Sequence, residues 1–457
     1  MLLGCACALG LVLGSALTPA PAAAADFRVY SQTVGDAYQL VTSGNEVLNR
    51  RRLHQYVGFG AYHLLDPEDD TLSISALFRF DADFGLSDRE REDVKNLRKD
   101  QLSIPYVFIQ AKDVAGFLDV TLGRQLHADA LDYLMMDGGI VTVKTPLYFG
   151  VELIGGLEVK ESLSDFNVSA FELDGVRFLR DEKPADKTTV VLGAALVTED
   201  LTWTRAWLGY RRLFSGGYVD QEKVGGSFYQ RVVEGLHVNA LASYDLYNGR
   251  FDKIQAGIRW QVSDAFDVEG EYLRMLPSFD ADSIFNIFTA FALNDGHLKL
   301  RWHGSADSQL YVGGMVRFFG NEGYGAREGE LLLEEKATVV EAWGAMGGIA
   351  QRFGRDGRLH LDASWETGYG GDRLLVDLGG AWAVVPEEWQ LDARATAILI
   401  EDALQPNLET FGFGYQLGAS YLVEKKAAVS LMVEQNFNRL QTQSLRVLAV
   451  VDLDFWL

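Results

Sequence analysis

Arg446-Val447-Leu448-Ala449-Val450-Val451-Asp452-Leu453-Asp454-Phe455-Trp456-Leu457 closes the sequence. Val447, Ala449, Val451, Leu453, Phe455 and Leu457 share one parity, and Asp452 and Asp454 have the other. Successive side chains of a strand point to opposite faces, so this stretch reads as a strand with one apolar and one polar face. The pattern recurs upstream. Leu236, Val238, Ala240, Ala242, Tyr244 and Leu246 oppose His237, Asn239, Ser243 and Asp245. Leu359, Leu361, Ala363 and Trp365 oppose His360, Asp362, Ser364 and Glu366. Leu72, Ile74, Ala76, Phe78, Phe80 and Phe84 oppose Ser73, Ser75, Arg79, Asp81 and Asp83.

A soluble β-sandwich alternates in the same way, but three features favour a membrane barrel. The segments run about ten to fourteen residues, longer than an ordinary strand and long enough to cross a bilayer at a tilt. Trp260, Tyr272, Trp302, Trp365, Trp389 and Phe455 sit near the ends of the apolar faces, as interfacial girdles do. The chain ends on an alternating strand with Phe455 and Trp456 near the terminus, resembling the closing strand of bacterial outer-membrane barrels, although Leu457 is not aromatic.

Connections add a parity argument. Short turns such as Lys112-Asp113-Val114, Ser263-Asp264-Ala265 and Pro386-Glu387-Glu388 alternate with long segments such as Leu86 to Gln101, Lys160 to Asp186, Leu276 to Asp295 and Gly320 to Lys336. Short periplasmic turns and longer external loops are the habit of such barrels. With Phe27 to Tyr38 as the first strand, the expectation is all-β: a single transmembrane antiparallel up-and-down β-barrel of about 22 strands, within a range of roughly 18–24, without a plug domain.

Met1 to Ala25 carries no charge and reads as a signal peptide, with an apolar core from Leu2 to Leu17 and Ala23-Ala24-Ala25 before Asp26. No Lys or Arg precedes that core, and Leu3-Gly4-Cys5 lies too close to the start for a lipoprotein site. The expected division is 1–25 signal peptide and 26–457 outer-membrane β-barrel. Both cysteines, Cys5 and Cys7, fall in the signal, so no disulfide is expected in the remainder. Glycine is high at 47 and proline low at 9. A net charge of −23 argues against nucleic-acid binding, and repels polyanions unless the lumen is locally basic.

The polar faces supply candidate site residues. His297, Lys299, Arg301 and His303 make a basic row, Lys253 and Arg259 a second, and Asp267, Glu269 and Glu271 an acidic row between them. Opposite charges on adjacent strands can pair across the ladder, giving a solvated wall; read functionally, they are a lumen selectivity stripe. Tyr247 and Trp456 are candidates to stack on sugar rings. Ile284, Phe285, Ile287, Phe288 and Phe291 make one loop too apolar for water, and it is expected to fold inward as a constriction loop or to dock a partner. The seven histidines lie in no metal spacing, and neither a C-x-x-C-H nor a nucleophile elbow occurs, so no enzyme, metal or cofactor is expected.

Leu118 to Gly139 reads LDVTLGRQLHADALDYLMMDGG. A strand ending Leu-Gly-Arg-Gln, then a loop, then Asp-Gly-Gly resembles the alginate-export and general porin families. The resemblance implies a single barrel moving sugars or small polar solutes, with Arg124, Gln125 and Asp137 shaping the pore mouth. Together these readings give an outer-membrane channel or export conduit for a polar solute of the carbohydrate class, polysaccharide export included. The alternatives are a structural sheath enclosing a lipoprotein or electron carrier, and a general diffusion porin. Expected partners are outer-membrane lipid and lipopolysaccharide, the barrel assembly machinery and a periplasmic export partner.

Overall fold

The computed structural model describes residues 25–41, 47–65, 71–85, 100–159, 188–199, 201–276, 292–320, 340–368, 371–401, 410–424, 426–438 and 444–456. These form β1 (Asp26–Val41), β2 (Val47–Tyr62), β3 (Leu72–Asp83), β4 (Asp100–Val114), β5 (Leu118–Ala128), β6 (Tyr133–Lys144), β7 (Phe149–Glu158), β8 (Thr189–Thr198), β9 (Thr204–Ser215), β10 (Tyr218–Val233) and β11 (Leu236–Asp245). They continue as β12 (Arg250–Ser263), β13 (Phe266–Met275), β14 (Ala292–His303), β15 (Ser308–Gly320), β16 (Val340–Phe353), β17 (Gly357–Gly368), β18 (Gly371–Val385), β19 (Trp389–Glu401), β20 (Thr410–Val423), β21 (Ala427–Phe437) and β22 (Ser444–Trp456). Each strand pairs antiparallel with the next, and β1 pairs with β22, closing a 22-stranded barrel. Strands spaced about 4.8 Å apart and tilted about 40° then enclose a ring roughly 40 Å across between backbones.

Residues directly opposite across a ladder share a face, so the register carries each face around the ring. Contacts that skip strands identify the concave face, where side chains converge. Tyr30 on β1 meets Tyr106 on β4, Trp207 on β9 donates to Glu152 on β7, and Arg317 on β15 donates to Glu366 on β17. That face also holds Asp81, Asp245, Asp362 and Asp452. The other carries Leu298, Val312, Leu208, Leu417 and Leu431, all more than half exposed. A polar inside and an apolar outside is the arrangement in which a closed sheet spans a bilayer, every backbone group being satisfied within the ring. Phe27, Trp260, Trp302, Trp382, Trp389 and Phe455 ring the outside near one rim, and Tyr244, Phe318, Trp343, Trp365, Phe413 and Phe437 near the other. The protein is an integral outer-membrane barrel.

All the described connections at the rim shared by the start of β1 and the end of β22 are short, which makes that rim the periplasmic one. The opposite rim is less uniform than the sequence pattern suggests. Gly216-Gly217 joins β9 to β10, as tight as any inner turn, and the pairing of β17 with β18 runs out to Gly368 opposite Gly371. Gln101 and Asp295, read as ends of long loops, are already in β4 and β14. The apolar run at Ile284 to Phe291, residues 1–24 of the expected signal, and most of the long segments Leu86 to Gln101 and Lys160 to Asp186 lie outside the described residues.

Candidate functional site

The rows on β12, β13 and β14 converge on the lumen. Register places Arg259 opposite Glu269, Asp267 opposite Arg301, Glu269 opposite Lys299 and Glu271 opposite His297. Lys253 and His303 share the same face. Asp267 is the hub. Its side chain is only 5% exposed, with Arg301 at 3.2 Å, His303 at 3.1 Å and Arg259 at 3.6 Å. Arg301 also reaches Glu269 at 3.1 Å, and His297 pairs with Asp295 at 3.0 Å. Two carboxylates, Asp267 and Glu269, thus balance two arginines, Arg259 and Arg301, with His303 alongside.

Basic side chains recur along the periplasmic half of the wall. Arg205, Arg231, His237, Arg259, Arg301, His303, Arg352, Arg358, His360 and Arg394 all point inward between β9 and β19. Two hollows adjoin here, sharing His303, Ser305 and Ala306. One of about 710 Å³ is lined by Arg352, Arg358, His360 and Arg394 together with Asp307 and Asp392, the other of about 780 Å³ by His237 and Arg259 together with Asp264 and Asp267. Both hollows therefore mix signs, with arginines outnumbering carboxylates only in the first, and the many inward arginines of this arc stand within a chain of net charge −23. Among the described residues His360, Asp362 and Asp377 bring potential ligand atoms within 4.8 Å of one another. Arg394 donates to Asp377 at 2.7 Å and the neutral Tyr311 hydroxyl to Asp362 at 2.6 Å, so both carboxylates are already engaged by protein donors and one of them by a cation.

The facing sector is aromatic. Arg28 lies 5.3 Å over the Trp456 ring and 5.1 Å over Tyr30 on the inner wall of β22 and β1, and Tyr106 and Tyr56 continue the surface on β4 and β2. Trp456 is 59% exposed, whereas Tyr247 lies in the β11–β12 turn at the outer rim.

The pore mouth is built differently from the sequence expectation. In β5, Leu118, Val120, Leu122, Arg124 and Leu126 share one face and Asp119, Thr121, Gly123, Gln125 and His127 the other. Arg124 lies opposite Val107 and Asp137, on the outward face, and only Gln125 points inward, where it is buried. Arg124 and Asp137 therefore do not line the mouth. They form a bidentate pair, 2.6 and 2.7 Å, on the lipid-facing wall, where an arginine at mid-depth costs about 2–4 kcal/mol.

The mouth is shaped instead by the turn between them, Asp129 to Asp132. It folds inward past β7 and β8. Asp129 meets Arg211 of β9 at 3.2 Å, with both side chains at most 3% exposed, and Asp132 meets Lys223 of β10 at 3.5 Å. Leu131 packs so closely on the β10 backbone that a Cβ on Gly225 would lie 2.8 Å from it. In the same sector Leu134, Met136, Ile154, Val191 and Leu213 form a buried apolar cluster on the inner faces of β6 to β9. An apolar pad facing a wet lumen needs a cover, and Ala130 and Leu131, both buried, are placed to supply it. Sequence analysis missed this turn. The available signal was β8, Thr189-Val-Val-Leu-Gly-Ala-Ala-Leu-Val-Thr198, which is apolar on both faces as only a doubly covered strand is.

Burial acts to raise the Asp129 pKa, but His127, Arg211 and the N–H groups of Asp132 and Leu131 outweigh it and hold the carboxyl below its ordinary value. A carboxyl depressed in the folded state stabilises that state above the unfolded pKa of about 4 and loses the contribution as pH falls through the lower folded value. Channel conductance is thus expected to be constant from neutral pH to about 4, and to rise below that as the turn releases. A rise already complete at about pH 5 would sink this assignment.

No protein-family model matches the sequence, and no curated protein matches it. Solved structures with a similar fold include OpdK of Pseudomonas aeruginosa with vanillate, at 10% identity and TM-score 0.44 over 95% of this chain and 99% of that one. OccAB2 of Acinetobacter baumannii is similar at 8% and 0.45, over 94% and 98%. A BenF-like porin from Pseudomonas fluorescens Pf-5 is similar at 7% and 0.41, over 94% and 99%. At such identities the likeness is one of fold alone.

Proposed function

We propose that this barrel is an outer-membrane channel through which polar solutes diffuse, and that its preferred solutes are acidic carbohydrates. The observation that carries the reading is the inner wall itself: seven inward arginines, Arg205, Arg231, Arg259, Arg301, Arg352, Arg358 and Arg394, spread from β9 to β19 within a strongly acidic chain. A carboxylated sugar gains from guanidinium groups there, and its ring faces can stack on Trp456 and the tyrosines of the opposite wall. A ring of 22 strands also has room for a polymer, so export of an acidic polysaccharide falls within the same reading. The width equally supports a second reading, a sheath around a protein partner.

Planar-bilayer recording separates them. The purified barrel is expected to conduct, to show a reversal potential of anion-selective sign in a KCl gradient, and to be blocked transiently by oligouronates more than by neutral oligosaccharides of equal length. The double variant Arg259→Glu with Arg358→Glu is expected to reverse the sign of that potential. Cation selectivity in the unmodified barrel would overturn the anionic preference, and a silent barrel would favour the sheath.

A further inference from the structure

Arg124 is the seventh of the eleven residues of β5 and Asp137 the fifth of the twelve of β6. Both thus sit at mid-strand, well away from either rim, and both point outward. Their surroundings on that face are Leu122, Leu126, Val141 and Leu153. Asp137 retains 45% of its side-chain exposure and Arg124 28%, so the described residues leave the pair partly open to the membrane side. A second outward polar group provides a contrast. Thr33 donates to Gln55 at 2.6 Å and Gln55 to Ser31 at 2.8 Å, a neutral set whose members satisfy one another. Arg124 and Asp137 instead expose formal charges where lipid offers no ligand. The Arg124 guanidinium also reaches the carbonyl of Ile104 at 3.3 Å, where β4 bulges around Pro105. That contact fixes the guanidinium and directs its remaining N–H groups outward.

We propose that this face is the contact between two copies of the chain, related by a two-fold axis along the membrane normal that passes between Arg124 and Asp137. Two barrels in one membrane must share an orientation, so the axis can only run along the normal. Such an axis exchanges neighbours at nearly one depth, and at a strand tilt of about 40° the opposed pair is offset by only about 3 Å, within the reach of an arginine side chain. Arg124 of each copy then faces Asp137 of the other, and two lipid-exposed pairs become a closed ring of four alternating charges. The wall beside the pair permits close approach. Gly155 lies on the same outward face opposite Gly139; the space over Gly139 is filled by Leu122, whose Cδ2 would lie 2.7 Å from a Cβ there, but a Cβ on Gly155 would meet nothing nearer than 4.0 Å. A lipid phosphate is held at headgroup depth and cannot reach mid-strand, so charge complementarity favours a second copy over lipid.

Leu126 projects outward two residues above Arg124, beside the proposed axis, and beyond residue 7 the chain contains no cysteine. Leu126→Cys in outer membranes is expected to give an oxidised species of twice the chain mass. Adding Arg124→Glu should lower its yield by about tenfold or more, and the charge swap Arg124→Asp with Asp137→Arg should restore it. Heat-modifiable migration shows that each variant is a folded barrel. The proposal is overturned if folded Leu126→Cys stays single, if its cross-link is indifferent to Arg124→Glu, if the folded swap does not recover it, or if the cross-linked mass is that of another protein.

Discussion

Replacing Arg211 by alanine is expected to destabilise the docked β5–β6 turn by about 3–5 kcal/mol, because a carboxylate buried with its cation is left buried alone. Asp129 has two ways to relieve that cost. It can take up a proton, or the turn can lift and bring the carboxylate into water. Lifting also uncovers the apolar cluster at Leu134, Met136, Ile154, Val191 and Leu213, so the turn and its pad should loosen together. Two observables follow. The heat-modifiable band should be lost at lower temperature, and single-channel conductance should rise and become noisier at neutral pH. Arg211→Met with Asp129→Leu removes both charges and keeps apolar volume, and is expected to recover most of the stability. Unchanged conductance in Arg211→Ala would mean that the turn does not constrict the pore.

Gly123→Ala is expected to be the most damaging single methyl in the barrel wall. Gly123 holds φ at +131°, a conformation L side chains rarely adopt, and a Cβ there would lie 2.2 Å from the Val107 carbonyl oxygen and 2.8 Å from the Phe108 Cα. Those neighbours are backbone and cannot rotate away. At least about 3 kcal/mol should be lost, seen as a fall in the folded fraction after refolding and in the urea midpoint. Gly35→Ala is the control. Its nearest neighbour would be 3.9 Å away, and its effect should stay within about 0.5 kcal/mol. Equal damage from both would show that the close approach of β4 and β5 is not what requires glycine at 123.

Period-two alternation is a local property, and it was enough to place strands such as Leu236 to Asp245 and to orient Lys253, Asp267 and Arg301 toward the lumen. Arg124 was legible by the same rule, since it shares parity with Leu118, Val120, Leu122 and Leu126. The resemblance of Leu118 to Gly139 to porin-type sequences drew attention to the charge rather than to its face. The inward turn was not legible. Asp129 meets Arg211 across 82 residues of sequence, and no periodicity within either segment encodes that meeting. The constriction expected from Ile284, Phe285, Ile287, Phe288 and Phe291 lies outside the described residues.

The seam between β1 and β22 joins the two strands most distant in the chain, and it carries three side-chain links on its lumen face: Arg28 with Asp454, Gln32 with Asp452, and Arg446 with Asp36. A slip of one residue during closure would turn Asp452 and Asp454 toward lipid. A slip of two keeps the faces correct: in one direction it draws Arg446 from Asp36 and Arg28 from Asp454, and in the other it sets both pairs directly opposite and breaks only the link of Gln32 with Asp452. Odd errors are thus rejected by the bilayer and even errors in one direction by charge, so the final joint of this ring is proofread by its faces first and by its ion pairs only from one side.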